Sequence, residues 1–309
     1  MKFASKATVC EVGPRDGVQN LPPLNVPDKV KLLDLIVDAG IKEIEVGSFL
    51  GDNPDLGIGM VNTPEVFRTM NRRPGVIYRA LLQTPIGAQQ AADNGCEKIK
   101  LNISGSVKHY ELMSGKTIKE GMAGFAEIGS ISAKNNIAIL GSISLAFVSP
   151  YDGLIPSKDI KEIIQNFIDC GATEISLNDT AGMATPKLVY ERFCEMISAF
   201  PAVTAWAFHP HNTRGMALAN IVAALEAGMT KVDSSLAGTG GCPVFKNASG
   251  NIATEDMLYM LDGMGVETGV NLEKAIAAGE FLEELVNHNG IDSYIQRLEK
   301  IKRKEKDVE

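Results

Sequence analysis

An α/β fold closed as a (β/α)8 barrel of the TIM type, with a C-terminal helical extension, is predicted for this 309-residue chain on three observations. Four segments repeat one helix-stop, strand-start pattern. Eight strand-like runs alternate with helix-like stretches over the length such a barrel needs. The unusual polar residues gather at one end of those runs, where barrel chemistry sits.

The repeat reads Asp38-Ala-Gly40-Ile-Lys-Glu-Ile44, Asp93-Asn-Gly95-Cys-Glu-Lys-Ile99, Asp169-Cys-Gly171-Ala-Thr-Glu-Ile175 and Glu226-Ala-Gly228-Met-Thr-Lys-Val232. In each, a helix-like stretch ends at a glycine suited to the left-handed terminating position, and a β-favouring residue opens a strand four residues later. The other strands are expected at 8–12, 76–82, 138–146 and 203–208, and helices at 28–38, 157–169, 186–199 and 214–226. In the first helix Leu32, Leu33, Leu35 and Ile36 form the stripe of a helix packed on a sheet. A doubly wound sheet is the alternative, but no G-x-G-x-x-G follows the first strand. No low-complexity linker marks a second domain. Residues 1–309 therefore read as one catalytic domain, with the barrel over about 8–240 and a lid loop and C-terminal helices over about 238–309. The Lys- and Glu-rich tail at 296–309 reads as a solvated terminal helix with no assigned function.

At 45% hydrophobic residues the chain has ample material for a large core. A net charge of -8 and a pI near 5.2 argue against a nucleic-acid or anionic-membrane partner. Five cysteines show no CxxC pairing and no zinc spacing, the usage of a reducing compartment. No apolar run approaches the ~18–20 residues that span a bilayer. The first strand begins by Thr8, which leaves no room for a signal peptide, so a soluble cytoplasmic protein is expected.

Glu11-Val-Gly-Pro-Arg-Asp-Gly-Val-Gln19 sets Arg15 beside Asp16 in a Gly/Pro turn after the first strand, with no sequence neighbour to neutralise either. A pair so placed aims the carboxylate at a metal and the guanidinium at a developing negative charge; a surface ion pair is the plain alternative. Glu45 and Ser48 lie on or just after strand 2. Asn178, Asp179 and Thr180 follow the sixth strand, and Gly238-Thr-Gly-Gly-Cys-Pro243 follows the eighth. His209 and His211 end the seventh, and residues two apart on a strand project the same way, here into the barrel mouth. Two imidazoles there can bind a metal through neutral nitrogens, and these are two of only four histidines in the chain. His109 and His288 read as surface residues. Cys10, Cys96, Cys170 and Cys194 read as core or near-core fillers, whereas Cys242 sits in a glycine-rich loop and reads as a thiol on a mobile lid.

Three stretches resemble the 3-hydroxy-3-methylglutaryl-CoA lyase family, a branch of the metal-dependent DRE-TIM barrel lyases and synthases. They are the run from Glu11 to Gln19, the H-x-H with Asn-Thr-Arg-Gly-Met-Ala-Leu-Ala-Asn220, and Gly241-Cys-Pro-Val-Phe-Lys-Asn-Ala-Ser-Gly-Asn-Ile-Ala-Thr-Glu-Asp256. The third is the most specific, since the related condensing synthases carry a Gly-Glu-Arg segment there. The resemblance implies that Asp16, His209, His211 and Asn251 ligate a divalent cation, Mg²⁺ or Mn²⁺. It implies that Arg15 is the catalytic arginine and Cys242 the lid cysteine, with Asp179 or a histidine such as His209 as base. Gln19, Glu45, Ser48, Thr180 and Asp179 fall around the substrate. The implied reaction is carbon–carbon cleavage of a CoA thioester to acetyl-CoA and a 3-oxo acid, by an enzyme expected to be a homo-oligomer, dimer or tetramer.

Departures from the family pattern touch the rim. Asn212-Thr-Arg214-Gly-Met216 replaces Asp-Thr-Tyr-Gly-Gln, residues 50–57 replace a Pro-Lys-x-Val-Pro-Gln segment, and Thr239 and Lys246-Asn247 are unusual. Arg214 becomes a candidate partner for a second carboxylate or a CoA phosphate. A lyase for a different branched or longer 3-hydroxyacyl-CoA is the enzymatic alternative; a condensing synthase and a non-catalytic barrel rank below it.

Overall fold

The computed structural model describes residues 4–49, 57–241, 249–287 and 293–306. Its strands are β1 (Thr8–Glu11), β2 (Glu43–Ser48), β3 (Ile77–Leu82), β4 (Lys98–Ser104), β5 (Ala138–Ser144), β6 (Val148–Ser149), β7 (Gly153–Leu154), β8 (Glu174–Asp179), β9 (Ala205–Pro210) and β10 (Lys231–Ser234). β6 and β7 form a small antiparallel hairpin that the sequence pattern did not announce. The other eight close a parallel barrel in the order β1-β10-β9-β8-β5-β4-β3-β2. The predicted fold is the observed one.

The helices are α1 (Val26–Asp38), α2 (Thr63–Thr69), α3 (Pro85–Asp93), α4 (Val107–Ser114), α5 (Ile118–Met122), α6 (Phe125–Lys134), α7 (Ser157–Asp169), α8 (Pro186–Ala199), α9 (Ala217–Glu226), α10 (Thr254–Gly263), α11 (Leu272–Val286) and α12 (Tyr294–Lys306). α1 starts where the Asn25 side chain accepts the Asp28 N–H at 2.9 Å, and it buries Leu32, Leu33 and Ile36. α7 buries Ile160, Ile163, Ile164 and Phe167, each stabilising by roughly 1.5–3 kcal/mol. α9 begins three residues later than expected. Arg214 and Gly215 belong to a turn in which Gly215 is left-handed (φ 68°), and the Asn212 carboxamide accepts the Ala217 N–H at 3.3 Å.

The four repeated glycines all take positive φ, at 98° for Gly40, 67° for Gly95, 96° for Gly171 and 106° for Gly228. The strands after them open one residue earlier than predicted, at Glu43, Lys98, Glu174 and Lys231. These belong to the second, fourth, sixth and eighth barrel strands, the alternate set that fills one interior layer. Instead of branched apolar residues, the layer is an ion quartet. Lys98 Nζ lies 2.9 Å from Glu43 and 2.5 Å from Glu174, and Lys231 Nζ lies 3.0 and 2.9 Å from the same two carboxylates. Two residues on, the same strands contribute Glu45, Lys100, Ser176 and Asp233, all buried. Arg79 of β3 ties the two layers together, reaching Glu43 at 3.2 Å and Glu45 and Asp233 at 2.8 Å. The intervening Ile44, Ile99, Ile175 and Val232 are buried in the apolar core.

The C-terminal helices pack rather than float. The Asp256 carboxylate accepts from Ser293 Oγ and from the backbone N–H of Tyr294 and Ile295 at 2.9–3.0 Å, a cap for α12. Glu283 of α11 holds Lys300 at 2.6 Å. The expected tail helix exists, but its first turns are docked, and a sustained run of consecutive exposed residues begins only at Ile301 and is described to Glu305.

Candidate active site

β1 runs into a wide turn over Gly13–Gly17 in which one carbonyl, Val12 O, accepts the N–H groups of Arg15, Asp16 and Gly17 at 3.0, 2.7 and 3.3 Å. Such π-helical turns recur at functional sites. The turn carries Arg15 and Asp16, 6% and 7% exposed, into the barrel mouth, so this is no surface ion pair. Nor are the two uncompensated, as the sequence alone implied. Arg15 Nη1 donates to Asp16 Oδ1 at 2.6 Å, while its Nε and Nη2 engage Glu45. Gln19 bridges the same pair, accepting from Arg15 at 3.3 Å and donating to Asp16 Oδ1 at 3.0 Å. Asp16 thus spends one oxygen on Arg15 and turns the other elsewhere.

That second oxygen faces two imidazoles. Asp16 Oδ2 lies 3.7 Å from His209 Nε2 and 4.0 Å from His211 Nε2, and the two ring nitrogens are 3.2 Å apart. Asp16, His209 and His211 form the metal-type cluster found among the described residues. Asn251 joins them because residues 250–253 run antiparallel to the end of β9. His211 bridges Asn251 across the pair, Asn212 N–H donates to Gly250 O at 2.7 Å, and Ser235 N–H donates to Ile252 O at 3.0 Å. The Asn251 amide donates to Asp16 Oδ2 at 2.9 Å and Thr239 O at 3.2 Å. Gly240 permits this approach: it is left-handed (φ 117°), and a Cβ there would sit 2.7 Å from Asn251 Nδ2.

The donor set fits a divalent cation. Asn251 Oδ1 is buried with no hydrogen-bond partner among the described residues, and leaving such an atom unpaired costs roughly 1–3 kcal/mol. Two imidazole nitrogens 3.2 Å apart stand about as far from each other as neighbouring donors on one small cation with bonds of ~2.1 Å. Burial, reinforced by His209, pushes His211 down to about 3, so it is the neutral imidazole a metal requires. Burial raises the Asp16 carboxyl, but Arg15 and then the two histidines outweigh it and hold the group below the usual carboxylate range.

The remaining predicted residues divide. Glu45 is fully buried behind Arg15, which it grips, and is shared with Arg79 and Lys100. Ser48 is buried on β2, its N–H donating to Thr63 Oγ1 at 3.2 Å. Thr180 Oγ1 accepts the Leu145 N–H at 3.0 Å. The Asp179 oxygens accept the N–H groups of Met183 and Ala184 at 3.0–3.2 Å, yet burial still raises its carboxyl to about 6. Arg214 is exposed, and its guanidinium donates to Ala181 O and Gly182 O at 3.1 and 3.2 Å, bracing the loop after β8. Cys242, Lys246, Asn247, His288 and residues 50–56 lie outside the described residues. His109, expected at the surface, is half-buried with Nδ1 3.1 Å from Ser104 Oγ.

Sequence reasoning missed Arg79, Lys100 and Asp233. The signal was present: charges at period two inside strands of a parallel barrel, which are otherwise near-continuous apolar runs.

A closed parallel barrel that brings a carboxylate, two imidazoles and a carboxamide together at its C-terminal mouth defines a metal-dependent barrel enzyme. Within that class, the HMGL-like family model matches residues 6–282, and the chain belongs to that family. It is 38% identical over 284 residues to the mitochondrial hydroxymethylglutaryl-CoA lyase of Mus musculus, covering 90% of this chain and 85% of that one. It superposes on the hydroxymethylglutaryl-CoA lyase of Pseudomonas aeruginosa with a TM-score of 0.92 at 34% identity, covering 98% and 100% of the two chains. An HMG-CoA lyase of Acinetobacter baumannii, solved with coenzyme A and 3-methylmalate, matches with a TM-score of 0.88 at 30% identity over 96% of each chain. No helix among the described residues is long and apolar enough to cross a membrane.

Proposed function

We propose that this chain cleaves the C2–C3 bond of 3-hydroxy-3-methylglutaryl-CoA to acetyl-CoA and acetoacetate, with Asp16, His209, His211 and Asn251 holding Mg²⁺ or Mn²⁺. The observation that carries the reading is the junction of the buried Asp16–His209–His211 cluster with Arg15, in a chain of this family. A CoA thioester as substrate is supported by the coenzyme A bound to the Acinetobacter relative.

A bound cation supplies Lewis acidity that favours loss of the substrate's hydroxyl proton. The other steps belong to the chain. As the 3-hydroxyl proton passes to a base, the C2–C3 electron pair moves onto the thioester, C3 becomes a ketone, and C2 then takes a proton. No co-reactant is needed. Arg15, its Nε and Nη2 held by Glu45, offers donors to the enolate oxygen, a role typically worth ~10²–10³ in rate. Asp179, raised by burial to about 6, has the affinity a base near neutral pH requires. His209 is the alternative base, but its Nε2 is turned to the metal cluster. Cys242 on the lid delivers the final proton. The free thiols Cys10, Cys96, Cys170 and Cys194 accord with work in the cytoplasm, and the enzyme acts as a homo-oligomer formed of single-barrel catalytic domains.

Mass spectrometry of products from a panel of 3-hydroxyacyl-CoA thioesters with added Mg²⁺ tests this. Acetyl-CoA and acetoacetate should dominate. Cleavage of a longer thioester with the parent left intact would move the substrate assignment to that acyl group.

A further inference from the structure

Asp233 is buried on β10 beneath the mouth, and nothing in the reaction as described uses it. Its two oxygens have distinct partners. Oδ1 accepts from Arg79 at 2.8 Å, while Oδ2 accepts from Lys100 Nζ at 2.8 Å and lies 3.2 Å from His209 Nδ1. A carboxylate ringed by two cations stays ionised and can only accept, so His209 Nδ1 must carry the proton. That leaves the Nε2 lone pair facing Asp16 and His211.

We infer that Asp233 is a positioning residue that fixes His209 as the Nδ1–H tautomer and thereby keeps Nε2 available to the cation. This rests on the metal reading of the mouth cluster. Partners of this kind orient metal-bound histidines and typically change metal affinity 10–100-fold when removed. Here the carboxylate is itself held. Lys100 lies within 3.4 Å of Glu45 and Arg79 within 2.8 Å, and Glu45 holds Arg15. One buried chain of charges therefore sets both the histidine on the metal side and the arginine on the enolate side.

The decisive variant is Asp233→Asn combined with Lys100→Met, which removes one charge of each sign and leaves the interior balanced. Arg79 will keep the amide oxygen on the Oδ1 side, so the amide nitrogen replaces Oδ2 and donates to His209 Nδ1. The proton then moves to Nε2. Long-range ¹H–¹⁵N correlation spectra of the metal-free protein read the tautomer, and titration with Mn²⁺ alone, followed by electron paramagnetic resonance, reads affinity. We expect the wild type as Nδ1–H, and the double variant as Nε2–H with Mn²⁺ binding weakened roughly 10- to 100-fold. A wild-type Nε2–H signal overturns the inference whether or not any variant folds. So does a folded double variant that keeps Nδ1–H and binds Mn²⁺ within twofold of wild type. Wild-type protein that binds no Mn²⁺ would instead remove the metal reading, while the tautomer comparison still decides what Asp233 does.

Discussion

The two ends of the barrel axis are both polar, the mouth buried and the base half-buried at Glu174 and Lys231, yet they are finished differently. At the base, Glu43, Lys98, Glu174 and Lys231 form a closed quartet in which every charge touches two of opposite sign. At the mouth, Asp16, His209, His211 and Asn251 converge less tightly, at 2.9–4.0 Å, and leave Asn251 Oδ1 without a partner among the described residues. Buried polar groups are normally satisfied, and the few exceptions point to a strain reservoir, a catalytic role or an absent ion. Burial and charge density alone would have flagged both ends. The unfinished pairing singles out the mouth as the place prepared for a ligand.

Substitutions at the two ends should therefore separate activity from stability. Asp16→Ala removes a ligand oxygen and is expected to lower turnover by roughly 10³-fold or more while abolishing tight Mn²⁺ binding. Arg15 keeps Glu45 but loses Asp16, so the melting temperature should fall as well, and turnover is to be compared per folded molecule. Robust turnover without Asp16 would sink the catalytic reading altogether. Arg15→Lys comes next. Lysine cannot reproduce the fork that Glu45 grips, so kcat should fall by ~10²–10³ with Mn²⁺ affinity nearly unchanged. A large loss of Mn²⁺ affinity would mean that Arg15 serves the cluster through Asp16 instead of the enolate.

Cys242→Ser tests the lid assignment, which rests on the glycine-rich sequence around the thiol and on the family resemblance. A serine is a far weaker acid than a thiol, so turnover should drop about 10²-fold, the lower end of general acid contributions, with metal binding untouched. An unchanged rate would reduce the thiol to a bystander.

Much of this was legible beforehand, and the gaps have physical causes. The helix-stop glycines marked half of the barrel strands because only a few residue types tolerate positive φ, and Gly40 through Gly228 all adopt it. The i, i+2 rule placed His209 and His211 together because strand geometry is local. Asn251 was assigned through motif likeness, since its approach depends on a bridge to His211 that no sequence period encodes. The interior charges were written in the same repeat that revealed the fold: Glu43, Lys98, Glu174 and Lys231 occupy one position of the four segments. Their alternating sign becomes meaningful only once closure brings alternate strands into one layer. Closure also shows that Glu45 stands behind Arg15 and pairs with it, a contact that strand position alone does not encode.

The base quartet offers the variant with the smallest expected effect on turnover. Glu43→Gln keeps the size of the side chain but leaves Lys98 and Lys231 with Glu174 as their shared anion and Arg79 with Glu45 and Asp233, and breaking these largely buried pairs costs at most about 3–5 kcal/mol. Turnover per folded molecule should change least of all the variants, since Arg79 keeps Glu45 and Asp233. The pH dependence gives a second signature. Burial raises the Glu43 carboxyl, but Arg79, Lys98 and Lys231 outweigh it and bring it down to about 2 from an ordinary 4.5. Because the folded value is the depressed one, its contribution is present above pH 4.5 and is lost as pH falls from there toward 2, roughly 3 kcal/mol in all. The wild-type melting temperature should thus descend more steeply through that window than that of Glu43→Gln, which lacks the titrating group. Parallel curves would show that the quartet does not store stability in charge pairing, and the contrast with the mouth would then rest on geometry alone.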